Sequence, residues 1–171
     1  IKDDKIDACL YVDKGPQIKI DSILIKGNAK ITQKYLYNYI GVKFGDYYNE
    51  SIIKKVGLRL KELPFIDITR PFETRFTFDK QAILLLYINK KKSSRFDGVI
   101  GVLPDDKIQG KFKFTGDVTL KLLNSFGRGE LIDLNWKSML NKTQDLKLNF
   151  TYPFLFSTPF GVDYKLSIYK K

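Results

Sequence analysis

Few side chains in this sequence could carry out covalent chemistry. Cys9 is the only cysteine, and the 171 residues contain no histidine. A Cys/His metal site, a Ser-His-Asp triad and a Cys-His pair are therefore excluded, because each needs an imidazole. The carboxylate pair Asp105-Asp106 follows Pro104 in a polar turn, with no neighbouring base or apolar pocket suggested. We predict no catalytic residue, no metal ion and no cofactor in this chain.

The charge is strongly basic but not concentrated. Thirty Lys and Arg residues give a net charge of +11, and they are spread along the whole length. The densest run is Lys90-Lys91-Lys92. A nucleic-acid-binding protein usually gathers its basic residues on one face or helix. We therefore predict that most of these charges solvate faces, lumen walls or loops, and that nucleic acid is not a partner. Attraction to anionic lipid head groups or lipopolysaccharide is the alternative role.

Residues 95–171 contain only strand patterns, and the alternation is regular. Successive side chains of a strand point to opposite faces, so each of these strands has one apolar and one polar face. Strands of roughly 9–11 residues are long enough to cross a bilayer when tilted. Aromatic residues near the strand ends could form interfacial girdles: Tyr152, Phe154, Phe156, Phe160 and Tyr169. Because a soluble β-sandwich shows the same alternation, the pattern alone leaves both interpretations open.

Residues 15–92 mix helix and strand patterns in the order strand, helix, helix, strand, strand. The first strand shows a phase slip that predicts a bulge near Asp21-Ser22. Thr32 and Asn49 are the predicted N-caps of the two helices, and Pro64 ends the second. A mixed sheet with both helices on one face would bury the apolar residues. The predicted elements are a strand at 17–26, helices at 32–40 and 49–63, an extended stretch at 65–78 with Pro71 at an edge or bulge, and a buried strand at 81–89.

Two motifs, one in each half of the chain, resemble motifs of a known family. The strand that ends in Lys26-Gly27-Asn28, followed by Ile31-Thr32 and later by Leu63-Pro64-Phe65-Ile66, resembles a POTRA module. The turn Asn124-Ser125-Phe126-Gly127-Arg128-Gly129 resembles an early barrel turn of the outer-membrane assembly factor superfamily, the BamA/TamA-like proteins. The resemblance implies an α+β POTRA module (β-α-α-β-β) followed by antiparallel transmembrane β-barrel strands, with the barrel incomplete in this chain.

The resemblance also implies a division of the chain. Residues 1–14 would include the last strand of a preceding POTRA module, at Ile6 to Lys14. Residues 15–92 would be one POTRA module, and residues 93–171 about the first five strands of the barrel. Five strands cannot close a barrel, and an open edge in hydrocarbon leaves backbone groups unsatisfied. We therefore expect this chain to be part of something longer, or to be completed by another polypeptide.

The functional residues implied by the resemblance make hydrogen bonds and apolar contacts, and no covalent bonds. A first barrel strand that pairs weakly would form a lateral gate, and Gly98 and Gly101 would weaken its pairing; a bulge or bend is the alternative role of these glycines. Its residues are Arg95, Phe96, Asp97, Gly98, Val99, Ile100, Gly101, Val102 and Leu103. A POTRA edge strand would accept an extended client, or would dock an adjacent module or lipoprotein. Its residues are Ile18, Lys19, Ile20, Ile23, Leu24 and Ile25.

Two further sets complete the prediction. The turn motif Asn124, Phe126, Gly127 and Gly129 would serve turn geometry, with the glycines at positive φ. The residues predicted to face lipid are Leu146, Leu148, Phe150, Tyr152, Tyr164 and Leu166.

The implied function is assembly, insertion or translocation of outer-membrane β-barrel proteins in a Gram-negative bacterium, with the POTRA part in the periplasm. The implied partners are outer-membrane lipid or lipopolysaccharide, unfolded outer-membrane protein clients, and accessory lipoproteins or adjacent POTRA modules. Three alternatives stay open: a two-partner-secretion transporter, a patatin-like phospholipase fused upstream of the same platform, and a soluble basic binding protein. No Gly-x-Ser-x-Gly motif occurs in these residues.

Overall fold

The computed structural model describes residues 8–13, 15–104, 112–139 and 143–171. The carboxylates Asp105 and Asp106 lie outside the described residues. Two bodies of secondary structure follow each other along the chain, a mixed α/β module and a five-stranded sheet. None of the helices in the described ranges is long and apolar enough to cross a membrane.

The module begins with strand β1 (Lys19–Ile25) and helix α1 (Gln33–Ile40). The predicted N-cap is confirmed, because the Thr32 side chain accepts a hydrogen bond from the Tyr35 backbone N–H. Gly41 ends the helix with φ of 74°, a left-handed conformation that glycine adopts at little cost. The predicted bulge is also confirmed, since the pairing register of β1 shifts between Ile20 and Ser22.

The second predicted helix is divided into α2 (Glu50–Ile53) and α3 (Val56–Lys61). Its N-cap is as predicted, with the Asn49 side chain accepting from the Ser51 N–H. The prediction of one continuous helix was wrong at Lys54-Lys55. There the Lys55 N–H donates to the Ile52 carbonyl, a tighter i to i−3 bond that interrupts the α-helical ladder.

Four short strands complete the module: β2 (Ile66–Ile68), β3 (Glu73–Phe76), β4 (Gln81–Leu86) and β5 (Ile88–Lys90). The three-stranded sheet has the order β1-β4-β3, with β1 parallel and β3 antiparallel to the central β4. Strands β2 and β5 form a separate antiparallel pair. The mixed sheet is confirmed, and so is the edge position of the stretch interrupted by Pro71.

A single apolar core lies between the helices and this sheet. Its members are nearly inaccessible to solvent: Ile20, Ile23, Leu36, Ile40, Val56, Leu60, Leu84, Leu86 and Ile88 are all at most 2% exposed. Burying a side chain of this size contributes roughly 1.5–3 kcal/mol. Leu123 and Phe154, from the second half of the chain, also pack against this core. The module and the sheet that follows it are therefore in contact.

The second body consists of β6 (Arg95–Pro104), β7 (Phe112–Leu123), β8 (Leu131–Ser138), β9 (Gln144–Tyr152) and β10 (Val162–Lys170). All neighbours are antiparallel and follow chain order, from β6 at one edge to β10 at the other. A short 3-10 turn, Leu155–Ser157, precedes β10. Within the described residues the sheet is open, because neither β6 nor β10 has a second strand neighbour.

The register of this sheet separates apolar from polar side chains across all five strands. The row Leu120, Leu134, Leu148 and Leu166 is cross-strand paired, and so lies on one face. No second sheet covers that face within the described part of the chain, and large side chains such as Ile100 and Phe114 remain 63% and 60% exposed. The soluble-sandwich interpretation requires a second sheet over this face, and the described residues supply none.

The strand predicted at Ile6 to Val12 is not present in its described part. Residues 8–13 form no strand, and Leu10 and Tyr11 are almost fully exposed. A single strand is not stable without a hydrogen-bonded neighbour, and no neighbour pairs with this segment among the described residues. The assignment of residues 1–14 to a preceding module remains a prediction.

Candidate functional site: the junction and the open edges

The turn between β7 and β8 is closed by its own side chains. Asn124 has a φ of 53°, and its side-chain oxygen accepts a hydrogen bond from the Gly129 N–H at 2.8 Å. Gly127 and Gly129 have φ of 77° and 72°. Both glycines have the positive φ expected of them, at which a Cβ is disfavoured.

Glu130 holds the inside of the same turn, although it is not among the residues predicted from the sequence. The residue is only 1% exposed, and its carboxylate accepts hydrogen bonds from the backbone N–H groups of Phe126 and Arg128. A buried carboxylate is tolerated when such donors satisfy it. One pattern could have indicated it: Glu130 has the parity of Ile132 and Leu134, so it is a charge on the apolar face.

This turn docks directly onto the module. The Thr32 N–H donates to the Gly127 carbonyl at 2.8 Å, and the Asn124 side-chain amide donates to the Lys30 carbonyl at 3.0 Å. A Cβ built on Gly129 would lie within 2.6 Å of the Tyr35 hydroxyl, so only glycine allows this close approach. The turn predicted to be purely structural therefore also fixes the module against the sheet.

Tyr35 is the aromatic centre of the junction. Its ring packs edge-on against Phe154, with 5.5 Å between centroids, and stacks on Tyr39 at 5.6 Å. Burial raises the pKa of the Tyr35 hydroxyl, and the nearby Tyr39 and Glu130 raise it further. Phe154 was predicted as an interfacial girdle residue. It instead packs on the module core, because the chain turns inward after β9.

The predicted gate strand is β6, at one edge of the sheet. Its pairing with β7 runs without a register shift from Arg95 opposite Lys121 to Pro104 opposite Phe112. This continuity excludes a bulge at Gly98 or Gly101. The strand is exposed along almost its whole length, and its outer side has no strand neighbour among the described residues. The role as a gate remains a prediction.

The predicted POTRA edge strand is β1, and it lies at an edge of the module sheet. Half of that edge is occupied, because the Ile18 and Ile20 backbones bond to the segment 45–48. Alternate residues of a parallel strand bond to the same neighbour, and Lys26 bonds to β4. The backbone groups of Ile23 and Ile25 therefore face outward, although the Gln33 side chain reaches the Ile23 carbonyl. Strand β3 forms the other edge.

The residues predicted to face lipid occupy one face of the sheet, as their cross-strand pairing shows. Phe150 is opposite Tyr164, and Leu148 is opposite Leu166. Leu146 and Tyr152 belong to the same alternating row of β9. The other face is polar and cross-linked by ion pairs and hydrogen bonds, including Lys137 to Asp117 at 3.5 Å and Thr119 to Asn135 at 2.9 Å. A lipid environment for the apolar face remains a prediction.

Comparison with known proteins agrees with these two bodies. Residues 18–91 match the POTRA family model, described as "Surface antigen variable number repeat". The crystal structure of BamA from Haemophilus ducreyi lacking POTRA domains 1-3 superposes with a TM-score of 0.62, at 16% sequence identity over 92% of this chain. CdiB from Acinetobacter baumannii has a TM-score of 0.47, at 19% identity over 88% of this chain. A search of curated proteins by sequence found no match.

The two structures are much longer than this chain, which spans 28% of each of them. The BamA superposition nevertheless covers both the module and the open sheet. Residues 18–91 therefore match the POTRA model and are named the POTRA domain after it, and the chain as a whole has the fold of the corresponding part of this BamA structure, a small α/β domain followed by an antiparallel sheet.

Proposed function

We propose that the full protein assembles, inserts or translocates β-barrel proteins at the outer membrane of a Gram-negative bacterium. The POTRA domain lies in the periplasm and strands β6 to β10 lie in the bilayer. One observation carries the proposal: a POTRA domain is held against the end of an amphipathic sheet whose apolar face is exposed and whose edges have no strand partner among the described residues. An apolar face of this size is stable in lipid.

Strand β6 is the proposed lateral gate. Unpaired backbone groups in hydrocarbon cost several kcal/mol each, so the free edge of β6 requires a partner strand. Gly98 and Gly101 contribute no side chain to cross-strand packing, which favours an exchangeable partner over a permanent one. The last strand of the complete barrel and a client strand would compete for this edge.

The POTRA edges are the proposed docking sites for extended segments. Main-chain hydrogen bonding to an edge strand accepts many sequences, which suits a factor with many clients. The open positions are Ile23 and Ile25 on β1, together with the outer side of β3. An adjacent POTRA module or an accessory lipoprotein would use the same backbone groups.

Depletion of the full-length protein tests the function. We expect the full-length protein to fractionate with outer membranes. Its depletion should lower the amounts of several other outer-membrane barrels. Loss of a single secreted protein with unchanged barrel levels would contradict assembly and favour a dedicated transporter.

A photo-crosslinking amino acid tests the gate directly. Benzoylphenylalanine at Phe96, on the free strand β6, should crosslink to client barrels during their assembly. The matched control is Phe150, which lies on the same apolar face but on the inner strand β9. Equal client crosslinking at the two positions would overturn the gate assignment.

A further inference from the structure

A cavity of about 440 Å³ lies at the junction between the POTRA domain and the sheet. Its lining includes Lys34 and Asn38 from helix α1, Arg128 from the turn between β7 and β8, and Phe156 from the 3-10 turn. An adjoining cavity of about 360 Å³ is lined by Phe126 and Phe150, among others. Both cavities share Arg128 and Tyr152, whose side chains are hydrogen-bonded at 3.2 Å from Nη1 to the hydroxyl.

The charge at this junction cavity is positive. Lys34 and Arg128 both line it, and the described residues of its wall include no Asp or Glu. Glu130 lines the adjoining cavity, but its carboxylate is directed to backbone N–H groups and is 1% exposed. An anion in the junction cavity would therefore meet two cations and no facing carboxylate.

The wall is also continuous with the apolar face of the sheet. Tyr152 shares that face with Phe150, and their rings stack with 6.3 Å between centroids. Phe156 is 86% exposed at the cavity mouth. Arg and Tyr beside an apolar face are typical of the membrane interface, where the polar ends of both side chains remain in the head-group layer.

We infer that the junction cavity binds the phosphate of an anionic phospholipid from the periplasmic leaflet. This inference rests on the proposed function, because it places the apolar face in that bilayer. Arg128 would hold the phosphate oxygens with its planar guanidinium, and Lys34 would add a point charge from the other side. The acyl chains would lie along Phe150 and Leu148, on the apolar face of β9.

The site has a mechanical consequence. Lys34 belongs to the POTRA domain and Arg128 to the barrel turn, so one phosphate would bridge the two bodies. The lipid would then strengthen the contacts that Thr32 and Asn124 already make across the junction. Its binding should be weakened when either cation is removed, while the fold of each body is retained, because both side chains lie at the surface.

Photo-crosslinking to labelled lipid tests the site. The full-length protein, with benzoylphenylalanine at Phe156, is reconstituted in phosphatidylcholine vesicles containing labelled phosphatidylglycerol. Each cation near an anionic lipid surface raises the binding affinity about fivefold. We expect Lys34→Gln and Arg128→Gln each to lower the crosslinked lipid by that factor, and the double variant to lower it further. Arg128→Lys keeps the charge but not the planar fork, so its yield should lie between those of the unaltered protein and Arg128→Gln.

The matched control is Lys55→Gln with Lys61→Gln, two exposed lysines of the same domain that do not line the cavity. It should leave the yield unchanged. An unchanged yield in the Lys34→Gln/Arg128→Gln variant would overturn the site, and displacement of the lipid by inorganic phosphate would reassign it to free phosphate. Failure of the unaltered protein to insert into vesicles would instead contradict the proposed function.

Discussion

The two bodies of this chain use apolar side chains in opposite ways. In the POTRA domain, Leu36 and Leu84 are fully buried between helices and sheet. In the five-stranded sheet, Phe96 and Ile100 are 72% and 63% exposed on an equally apolar face. The same residue types therefore exclude water in one half by packing against each other, and in the other half require a different apolar medium. Stability in the first half depends on packing, and under the proposed function stability in the second half depends on the bilayer.

The largest effect is expected from a cavity in the POTRA core. Leu84→Ala removes a fully buried side chain, which destabilises a core by about 2–5 kcal/mol. Hydrogen exchange of the domain in the full-length protein would measure this loss. Ile100→Ala is the control on the exposed face, and it should leave the POTRA domain unchanged. Equal loss of protection in the two variants would remove the distinction between the bodies.

A charge on the apolar face of the sheet should have the next largest effect. Leu148→Arg places a cation at the middle of β9, where the cost at the bilayer midplane is about 2–4 kcal/mol. The neighbouring Asn149→Arg lies on the polar face and should cost much less. Urea unfolding of the full-length protein in lipid vesicles would measure both. If Asn149→Arg is the more damaging change, the faces have been assigned the wrong way round.

The junction between the bodies can be loosened by one methyl group. Gly129→Ala and Gly45→Ala both place a Cβ at positive φ, which costs about 1–2 kcal/mol. Only the first also collides with Tyr35, since a Cβ built on Gly45 would have no neighbour within 4 Å apart from the adjoining residues of the chain. The distribution of distances between spin labels at Lys43 and Lys165 should broaden for Gly129→Ala and stay unchanged for Gly45→Ala. Identical distributions in both variants would show that the turn does not fix the domain.

The smallest effect concerns pH in the POTRA domain. Burial, followed by the hydrogen bond to Glu50 and its charge, raises the pKa of Tyr48 from 10.0 to about 12. The folded state therefore favours the protonated phenol: this stabilisation is complete below pH 10 and is lost as the pH rises towards 12. Tyr48→Phe should remove this part of the alkaline destabilisation, as measured by unfolding at pH 9 to about 12. An unchanged pH profile would show that the raised pKa of Tyr48 does not contribute to the alkaline destabilisation.

Much of the fold could be predicted from local signals. Thr32 and Asn49 cap helices because their short polar side chains reach the free N–H groups of the first turn. The slip in apolar phase at Asp21-Ser22 reports the bulge. These features depend on residues a few positions apart, so the sequence contains all the information they need. The interruption at Lys54-Lys55 was missed because both residues favour helix.

The candidate site was less predictable, because its contacts join distant parts of the chain. The Asn124 side chain bonds to Lys30, 94 residues earlier, and Tyr35 meets Phe154 across the same junction. The pairing of Ile18 and Ile20 with the segment 45–48 also depends on the path of a loop. No periodicity or cap reports such pairs. Glu130 was overlooked although its parity placed it on the apolar face.

The sequence by itself determined which side chains share a face, because the two-residue period of a strand sets that relation locally. The tertiary structure alone decided which faces are covered. The apolar residues of the POTRA domain are buried because two helices pack on its sheet, whereas the barrel sheet receives no such layer in the described residues. Burial depends on what the chain brings alongside a face, and that depends on the path of the whole chain.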